Sequence, residues 1–457
     1  MFDFANQAYT LLIITVIYGD LFTRVIVGDS GDDYRLGNLL WSAALAFSYL
    51  AVVVTAPLCG AIMDYAAAKK RFLFVSYITT VVATAALYWV EPGFVVLGLL
   101  LIALSNYAYS MGESFVAGFL PDIAGPGEMG RVSGLGWSLG YIGGLCATAF
   151  ALVVLGEVSA ENVERMRWVG PFAAAFFLVC AIPTFLWLRE RGRPQPLPFG
   201  TSYAAIGRRR LLRTLRSLGE LRDLARFLVS LLLAMAGLYV IIAYAFIYGA
   251  QVIGWDESVR TLMFITTQIS AALGAIAFGL LQDRWGAKRT YLATLLIWIV
   301  AILLIWATPP LTEAVNRLSG SDWQAQHLFL LAGGVAGLAL GSCQSAGRTL
   351  VGLLSPPQRA AEFFGFWGLS LKLAGAIGLV GVGLLQAWIG LQGAILFCAL
   401  FFAAAFVVAL SVDEARGRMA SSARGCHERL ARRPPTAIDR LPSATASVTG
   451  SSHSSQP

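Results

Sequence analysis

Twelve long apolar runs constrain this chain more than any other feature of its sequence. A helix needs ~20 apolar residues to cross the hydrocarbon core of a membrane, and each run supplies roughly that length. Charged residues are only 13% of the chain, whereas a soluble globular protein has ~25%. The pattern therefore predicts an all-α membrane protein with twelve transmembrane helices, and it excludes a soluble enzyme or a disordered scaffold. The runs are approximately 6–27, 39–63, 72–90, 94–120, 134–155, 168–188, 227–250, 259–281, 290–308, 327–353, 364–388 and 391–411.

The distribution of Lys and Arg predicts the orientation of these spans. The chain carries 33 Lys and Arg against 26 Asp and Glu, and most of the basic residues stand beside apolar runs. Loops on the side of the termini and of the middle loop are richer in Lys and Arg than the opposite loops. By the positive-inside rule, both termini are expected to be cytoplasmic. We therefore expect a multi-pass protein of a bacterial inner membrane, without a nucleic-acid partner.

A polar segment divides the chain into two halves with six runs each. We expect an N-terminal six-helix bundle at 1–188, a cytoplasmic linker at 189–226 and a C-terminal six-helix bundle at 227–411. The tail at 412–457 has few large apolar residues, so it is expected to be disordered.

Leucines recur at helical spacing in the linker, and arginines occupy much of the remaining face. This pattern is typical of an amphipathic helix that lies on a membrane surface. A helix that binds a partner protein has the same pattern, so both interpretations stay open. The leucines are Leu211, Leu212, Leu215, Leu218, Leu221 and Leu224.

One motif occurs in both halves, between the second and third runs of each. The first copy has Gly60 and Asp64 ahead of a basic cluster, and the second has Gly279 and Asp283 ahead of Arg284 and further basic residues. Glycine lets two helices approach closely, and an aspartate is favourable near a helix N-terminus because of the helix dipole. A loop that is merely basic would explain the Lys and Arg, but not the repeated Gly and Asp.

This repeated loop resembles the signature loop of the major facilitator superfamily. The resemblance implies two six-helix bundles around a central cavity lined by spans 1, 4, 7 and 10, with alternating access by rocking of the bundles. It also implies that Asp64 and Asp283 contact the starts of spans 11 and 5. Glu362 and Arg131 stand at those starts, so we expect all four residues to contribute to a gate.

A narrower resemblance rests on residues 2–9, Phe-Asp-Phe-Ala-Asn-Gln-Ala-Tyr. They resemble the Tyr-Asp-Trp-Ala-Asn-Ser-Ala-Tyr opening of the vacuole-effluxer family, which includes fungal autophagy-related permeases and many bacterial members. The matching positions include Asp3, Asn6 and Tyr9, while Phe4 and Gln7 depart from the motif. The resemblance implies export of an amino acid or a related solute. Further matches are 119–122, 131–144, 344–348 and 361–372.

Few ionisable residues fall inside the runs, and each is a candidate for substrate binding or ion coupling because a charge within a membrane is costly. Asp20 either pairs with Arg24 one helical turn away or binds a proton. Lys372 lies near mid-depth of span 11, where it either has a role in the cavity or between the bundles, or belongs to a structural ion pair. Gln344 is a polar candidate for the cavity wall, together with several Tyr and Trp side chains.

Glu113 and Arg348 occupy equivalent places on spans 4 and 10, because each precedes a proline at the same spacing. Their charges are opposite, so we predict that they pair across the cavity when the cytoplasmic side is closed. The alternative is that each finds a partner within its own bundle.

No catalytic cluster and no metal-ligand spacing of Cys and His stands out in the sequence. We therefore predict a protein that is not an enzyme and has neither a cofactor nor a metal. The sequence predicts a monomeric secondary active transporter for a small solute, with protons as the expected coupling ion and membrane lipids around it. A non-transporting membrane sensor or assembly factor on the same fold is the alternative.

Overall fold

The computed structural model describes residues 1–28, 35–155, 162–192, 194–216, 219 and 221–431. Regular structure within these residues is helical. Ten helices meet the length and hydropathy needed to cross a membrane. The helix Met129–Leu155 and the first part of the helix Ala360–Leu410 complete a set of twelve spans.

The first six spans form the N half. Their bounds are Phe2–Val27, Arg35–Ala66, Lys69–Trp89, Val95–Ala117, Met129–Leu155 and Val169–Trp187. Span 1 is π-helical over Tyr9–Val16 and again over Phe22–Val27. The Phe2 ring contacts Phe185 at the end of span 6, with ring centroids 6.4 Å apart, so span 1 starts on the side where span 6 ends.

The last six spans form the C half. Spans 7 to 10 are Arg222–Tyr248, Glu257–Trp285, Ala287–Ser319 and Ala325–Leu354. The helix Ala360–Leu410 supplies both span 11 and span 12, and it breaks at Gly390, where φ is 73°. Glycine takes this left-handed conformation without a steric penalty because it has no Cβ.

The two halves meet most extensively along two pairs of spans, span 2 with span 11 and span 5 with span 8. Glycines make these contacts possible. A Cβ on Gly60 would collide with the carbonyl of Ala361, and a Cβ on Gly134 would collide with that of Ala275. Both approaches lie at the ends of the spans next to the 189–226 linker, a side that we call the linker side. The halves are therefore in backbone contact on the linker side.

The linker helix, Tyr203–Arg216, packs against span 2. Ile206 is buried, Gly207 faces Leu58 and Ile62, and the guanidinium of Arg210 lies 5.8 Å from the Tyr65 ring centroid. Leu212 of the same helix is 47% exposed, so the interpretations of a helix on a membrane surface and of a helix that binds a partner stay predictions for this part of its apolar face. Leu218 lies outside the described residues.

A second helix on the linker side, the tail helix Glu414–Ala431, occupies sequence that was expected to be disordered. The Asp413 carboxylate accepts the backbone N–H of Arg416 at 2.9 Å, which caps the helix. Glu414 pairs with Arg418 one turn later at 3.6 Å. The prediction of disorder is thus wrong for this segment, and the part of the tail at 432–457 lies outside the described residues.

Candidate functional site

Asp64 ends span 2 and binds the start of span 11. Its carboxylate accepts the backbone N–H groups of Ala361 at 3.3 Å and Glu362 at 2.8 Å. The contact expected from the repeated motif is therefore present, and it places a negative charge at the positive end of the span 11 dipole. Lys69 neutralises this carboxylate at 3.7 Å and also donates to Asp122 at 3.0 Å.

Asp283 makes the equivalent contact in the other half. Its carboxylate accepts the backbone N–H groups of Gly130 and Arg131, both at 2.9 Å, at the start of span 5. The Arg131 guanidinium turns away and pairs with Glu128 at 3.4 Å. Asp283 therefore holds span 5 through backbone groups and not through a side-chain ion pair with Arg131.

Glu362 has a fully buried carboxylate next to the Asp64 contact. Arg359 donates to both of its oxygens, at 3.0 and 2.8 Å. The hydroxyl of Thr214 on the linker helix donates to the same carboxylate. The linker helix is thus tied to the start of span 11 through a satisfied buried ion pair, which is costly to break from either side.

Gly60 and Gly279 are the places where the two signature loops come closest to the opposite half, since Gly279 lies against the backbone of Gly130 and Gly134. The Arg284 side chain is exposed on the protein surface. It lies beside Asp283 on the linker side without contributing to the aspartate contact described above.

Two ion pairs cross between the halves in the interior. Arg348 of span 10 donates to Asp3 of span 1 at 2.9 Å. Lys372 of span 11 donates to Glu113 of span 4 at 3.1 Å. In both pairs the N half supplies the carboxylate and the C half supplies the cation. The carboxylate side chains are each 21% exposed, while Arg348 is 8% and Lys372 is 10% exposed, so the acids are the more accessible partners.

The predicted pair of Glu113 with Arg348 is therefore absent from this arrangement, and each residue has a different partner across the bundles. The prediction rested on equal positions along equivalent helices. Position along a helix does not determine the direction in which a side chain points around its axis, because a shift of one residue rotates it by ~100°. Arg348 turns toward Ser133 on span 5. Its Nε donates to the Ser133 hydroxyl at 3.1 Å, and its Nη2 donates to the Ser133 backbone carbonyl at 2.8 Å.

Aromatic rings surround both cations. The Arg348 guanidinium lies 5.4 Å from the Trp137 ring centroid. The Lys372 ammonium lies 5.2 Å from that of Tyr49 and 5.9 Å from that of Tyr109. Such faces stabilise a cation that has been withdrawn from water. Lys372 thus lies between the two bundles, with Glu113 as its partner.

The other polar candidates have smaller roles in the geometry. Gln344 donates to the Tyr141 hydroxyl at 3.0 Å, from span 10 to span 5. Tyr9 exchanges a hydrogen bond with Ser105 at 2.8 Å inside the N half. Asn6 is buried, and its Oδ1 has no hydrogen-bond partner among the described residues. This unpaired amide oxygen lies on span 1, one helical turn from Asp3.

Asp20 pairs with Arg24 at 2.6 Å near the far end of span 1. The Arg24 side chain is 59% exposed, so this pair is close to the surface and separate from the two interbundle pairs. Mutual neutralisation is therefore the arrangement found for Asp20. Across the described ranges, no three Cys, His, Asp or Glu side chains gather as a metal site would require.

Sequence reasoning missed two capping carboxylates of the linker side. Glu190 accepts the backbone N–H of Lys69 at 2.7 Å, at the start of span 3. Glu414 accepts that of Lys288 at 2.9 Å, at the start of span 9. Each Glu follows the last span of its half, so a search for acids repeated at the ends of the two halves would have found them.

The amino-acid sequence is similar to those of known proteins. A family model described as "Vacuole effluxer Atg22 like" matches residues 39–422. An uncharacterized MFS-type transporter, YxiO of Bacillus subtilis (strain 168), is 24% identical over 83% of this chain and 85% of its own length. Autophagy-related protein 22-1 of Aspergillus niger is 24% identical over 63% of this chain, and the match spans 48% of that protein. The chain thus aligns with about half the length of this fungal relative.

Solved structures show the same fold at low sequence identity. The proton:xylose symporter XylE bound to 6-bromo-6-deoxy-D-glucose superposes with a TM-score of 0.65 at 12% identity, covering 93% of this chain and 97% of that one. The transporter FucP in an outward conformation gives a TM-score of 0.62 at 14% identity, covering 90% and 98%. Both are major facilitator superfamily proteins, so the architecture of two six-helix bundles is that of this superfamily.

These comparisons overturn the predicted bacterial inner membrane. The matching family is described as vacuole effluxers, and fungal autophagy-related proteins are among the relatives. The prediction was drawn from loop charge, which orients spans relative to a membrane but carries no information about which membrane that is.

Proposed function

Because this chain belongs to the Atg22-like vacuole effluxer family and has the major facilitator fold, it is a secondary transporter and not an enzyme, and we propose that it exports an amino acid or a related amphoteric solute together with protons. The observation that carries the proposal is the pair of interbundle contacts, Asp3 with Arg348 and Glu113 with Lys372. Each contact offers a carboxylate that can take a proton and a cation that can take a substrate carboxylate.

The first step of the proposed cycle is competition for the cations. A solute with an ionised carboxylate can replace Glu113 at Lys372, because both are carboxylates and the ammonium is held in place by Tyr49 and Tyr109. Glu113 is then free to accept a proton, since loss of its cationic partner removes the interaction that favoured its charged form. Proton uptake and substrate binding are linked in this way through one residue.

The second step is a change of access. We propose that the bundles at 1–188 and 227–411 rock against each other as units, with 189–226 as their connection. Opening of the linker side separates spans 5 and 8, so the contacts of Asp283 with the start of span 5 must break. The interbundle ion pairs stretch in the same movement, and a bound solute or a proton offsets the cost of the charges left apart.

Counterflow in proteoliposomes tests the proposal. Purified protein is reconstituted with an internal mixture of unlabelled amino acids, and uptake of each labelled amino acid is measured with and without a pH gradient. We expect uptake of at least one amino acid that the gradient changes several-fold. Glu113→Gln should remove the effect of the gradient, while the matched variant Asp20→Asn should keep it, since Asp20 pairs with Arg24 away from the interbundle contacts.

Two outcomes would contradict the proposal. Counterflow that is identical in Glu113→Gln and in the unaltered protein would exclude Glu113 as the proton site. Absence of counterflow for every amino acid, in protein that is folded by thermal melting, would exclude amino acids as substrates and would favour a sensor or assembly role.

A further inference from the structure

A cavity of about 650 Å³ opens on the linker side of the C half, away from the interbundle ion pairs. It lies between the start of span 7, the loop from span 8 to span 9, the end of span 12 and the start of the tail helix. Five cationic side chains line it, and only two acidic residues, Asp413 and Glu414, do so. The cations are Arg226, Lys288, Arg289, Arg416 and Arg418.

Two of the five cations are committed to carboxylates. Arg416 donates to Asp223 at 2.6 and 2.7 Å, and this hydrogen bonding raises the pKa of the Arg416 guanidinium above its ordinary value. Arg418 pairs with Glu414 at 3.6 Å. These two arginines therefore stabilise the tail helix, and their charges are largely balanced by carboxylates.

The other three cations leave a positive surplus. Arg226 donates to the carbonyl of Ser411 at 3.1 Å, and the Lys288 ammonium donates to that of Leu410 at 3.0 Å. Arg289 is exposed. Among the described residues, no carboxylate forms an ion pair with Arg226, with Lys288 or with Arg289. Their charge is partly balanced by the negative end of the span 12 dipole, and it remains available to an anion.

The depth of the cavity indicates which anion. Spans 7 and 9 begin and span 12 ends around it, so it lies where membrane headgroups meet the protein. The Trp285 indole on its wall is 59% exposed, and Leu410 at its rim is 53% exposed. An exposed indole at the end of a span is typical of the membrane interface, and the exposed leucine beside it offers apolar surface to hydrocarbon. A ligand that fits has a phosphate at the level of the guanidinium groups and hydrocarbon below it.

We propose that this cavity binds the headgroup of an anionic phospholipid, with the phosphate between Arg226, Lys288 and Arg289. The lipid would contact Lys288, which belongs to the same signature loop as Asp283. The backbone N–H of Lys288 donates to Glu414 of the tail helix. Occupancy would thus hold the tail helix and the signature loop of the C half together. No element of the transport proposal is needed for this binding.

Native mass spectrometry of the detergent-purified full chain tests the site. The protein is titrated with phosphatidylglycerol, phosphatidylcholine and glycerol 1-phosphate. We expect a first phosphatidylglycerol to bind at least tenfold more tightly than phosphatidylcholine, and glycerol 1-phosphate to compete weakly. The double variant Arg226→Gln with Arg289→Gln should weaken the first phosphatidylglycerol at least fivefold. Arg226→Lys with Arg289→Lys keeps the charge and should stay within twofold of the unaltered protein.

The matched control removes the same charge elsewhere on the linker side. Arg208 and Arg209 are exposed on the linker helix, so Arg208→Gln with Arg209→Gln should leave the first binding step within twofold. Equal weakening by the two glutamine pairs would overturn the proposal, because it would show attraction by net charge alone. Equal binding of phosphatidylcholine, or displacement by glycerol 1-phosphate at matched concentration, would overturn the assignment to an anionic lipid. Thermal melting of each variant confirms that it is folded.

Discussion

The two signature loops contain equivalent glycines, aspartates and lysines, but the surroundings of Asp64 and Asp283 differ. Asp64 is buried, with Lys69 beside it, and the ion pair of Glu362 with Arg359 lies next to its contact. Asp283 is partly exposed and holds two backbone N–H groups. Both loops thus share a contact between an aspartate carboxylate and the backbone at the start of a helix. The buried ion pairs described around Asp64 have no described equivalent around Asp283.

The capping carboxylates teach the complementary lesson. Glu190 and Glu414 bind the starts of spans 3 and 9 in equivalent ways. The ammonium of Lys70 donates to the carbonyl of Leu188, and that of Lys288 donates to the carbonyl of Leu410, both at 3.0 Å. Contacts with backbone groups are therefore alike in the two halves, whereas buried side-chain pairs are not.

Replacing the two aspartates should show the largest difference between the halves. Asp64→Asn leaves the buried Lys69 without one of its carboxylates and should shift the equilibrium away from a closed linker side by about 3 kcal/mol. Asp283→Asn weakens charge-assisted hydrogen bonds at a partly exposed site and should shift it by about 1 kcal/mol. Distances between spin labels at the linker-side ends of spans 5 and 8, in a cysteine-free background, measure both shifts.

The comparison would fail if Asp283→Asn opened the linker side as far as Asp64→Asn. Both variants should also slow transport, Asp283→Asn without large loss of expression. Transport kinetics that Asp283→Asn leaves unchanged would remove Asp283 from the gate.

Glu362 offers the next largest effect. Glu362→Gln removes the charge of a fully buried carboxylate that accepts two hydrogen bonds from the Arg359 guanidinium, and should lower the free energy of unfolding by about 2–3 kcal/mol. Glu128→Gln is the matched control, because Glu128 pairs with Arg131 while its side chain is 63% exposed. An exposed pair contributes about 0–1 kcal/mol. Melting temperatures of the two variants in the same detergent measure the difference, and equal melting temperatures would contradict the unequal burial.

The interbundle pairs sharpen the comparison through a double-mutant cycle on transport. Glu113→Gln and Lys372→Met should couple by about 1–2 kcal/mol, because each residue is the other's partner. Glu113→Gln and Arg348→Gln should be nearly additive, since they belong to different pairs. Coupling of Glu113 with Arg348 that exceeds its coupling with Lys372 would restore the pairing expected from the repeat.

The smallest effects should come from the feature that the halves share. Glu190→Ala and Glu414→Ala each remove a cap from the first turn of a span, which costs about 1 kcal/mol. We expect the two variants to lower the melting temperature by similar small amounts. A loss in one variant several times that in the other would show that the caps are as unequal as the aspartates.

The fold was predictable because it depends on signals that act along the chain, and the contacts of Asp64 and Asp283 were expected from the resemblance of the repeated loop. Apolar run length determines which segments span, and the repeated Gly and Asp indicate where span ends approach each other. The partners of Arg348 and Lys372 were not predictable, since they depend on how each helix is rotated in its bundle. The role of Thr214 was missed because a single threonine in a basic helix forms no recognisable sequence pattern. Its hydrogen bond to Glu362 depends on the packing of the linker helix against the start of span 11.

The tail helix was missed for a different reason. Composition made 412–457 look disordered, but Asp413 caps the helix and Glu414 pairs with Arg418 one turn on. Both are local signals that the sequence displays. The localisation failed because nothing in loop charge identifies the membrane.

The buried ion pair beneath the linker helix has a consequence for the path of opening. Thr214, Arg359 and Glu362 join the chain between the halves to the start of span 11. The backbone contacts at Asp283 can therefore release while those at Asp64 persist. We expect the linker side to open asymmetrically, by rotation about an axis close to spans 2 and 11, with spans 5 and 8 moving farthest apart. A solute would then enter or leave along the groove between spans 5 and 8.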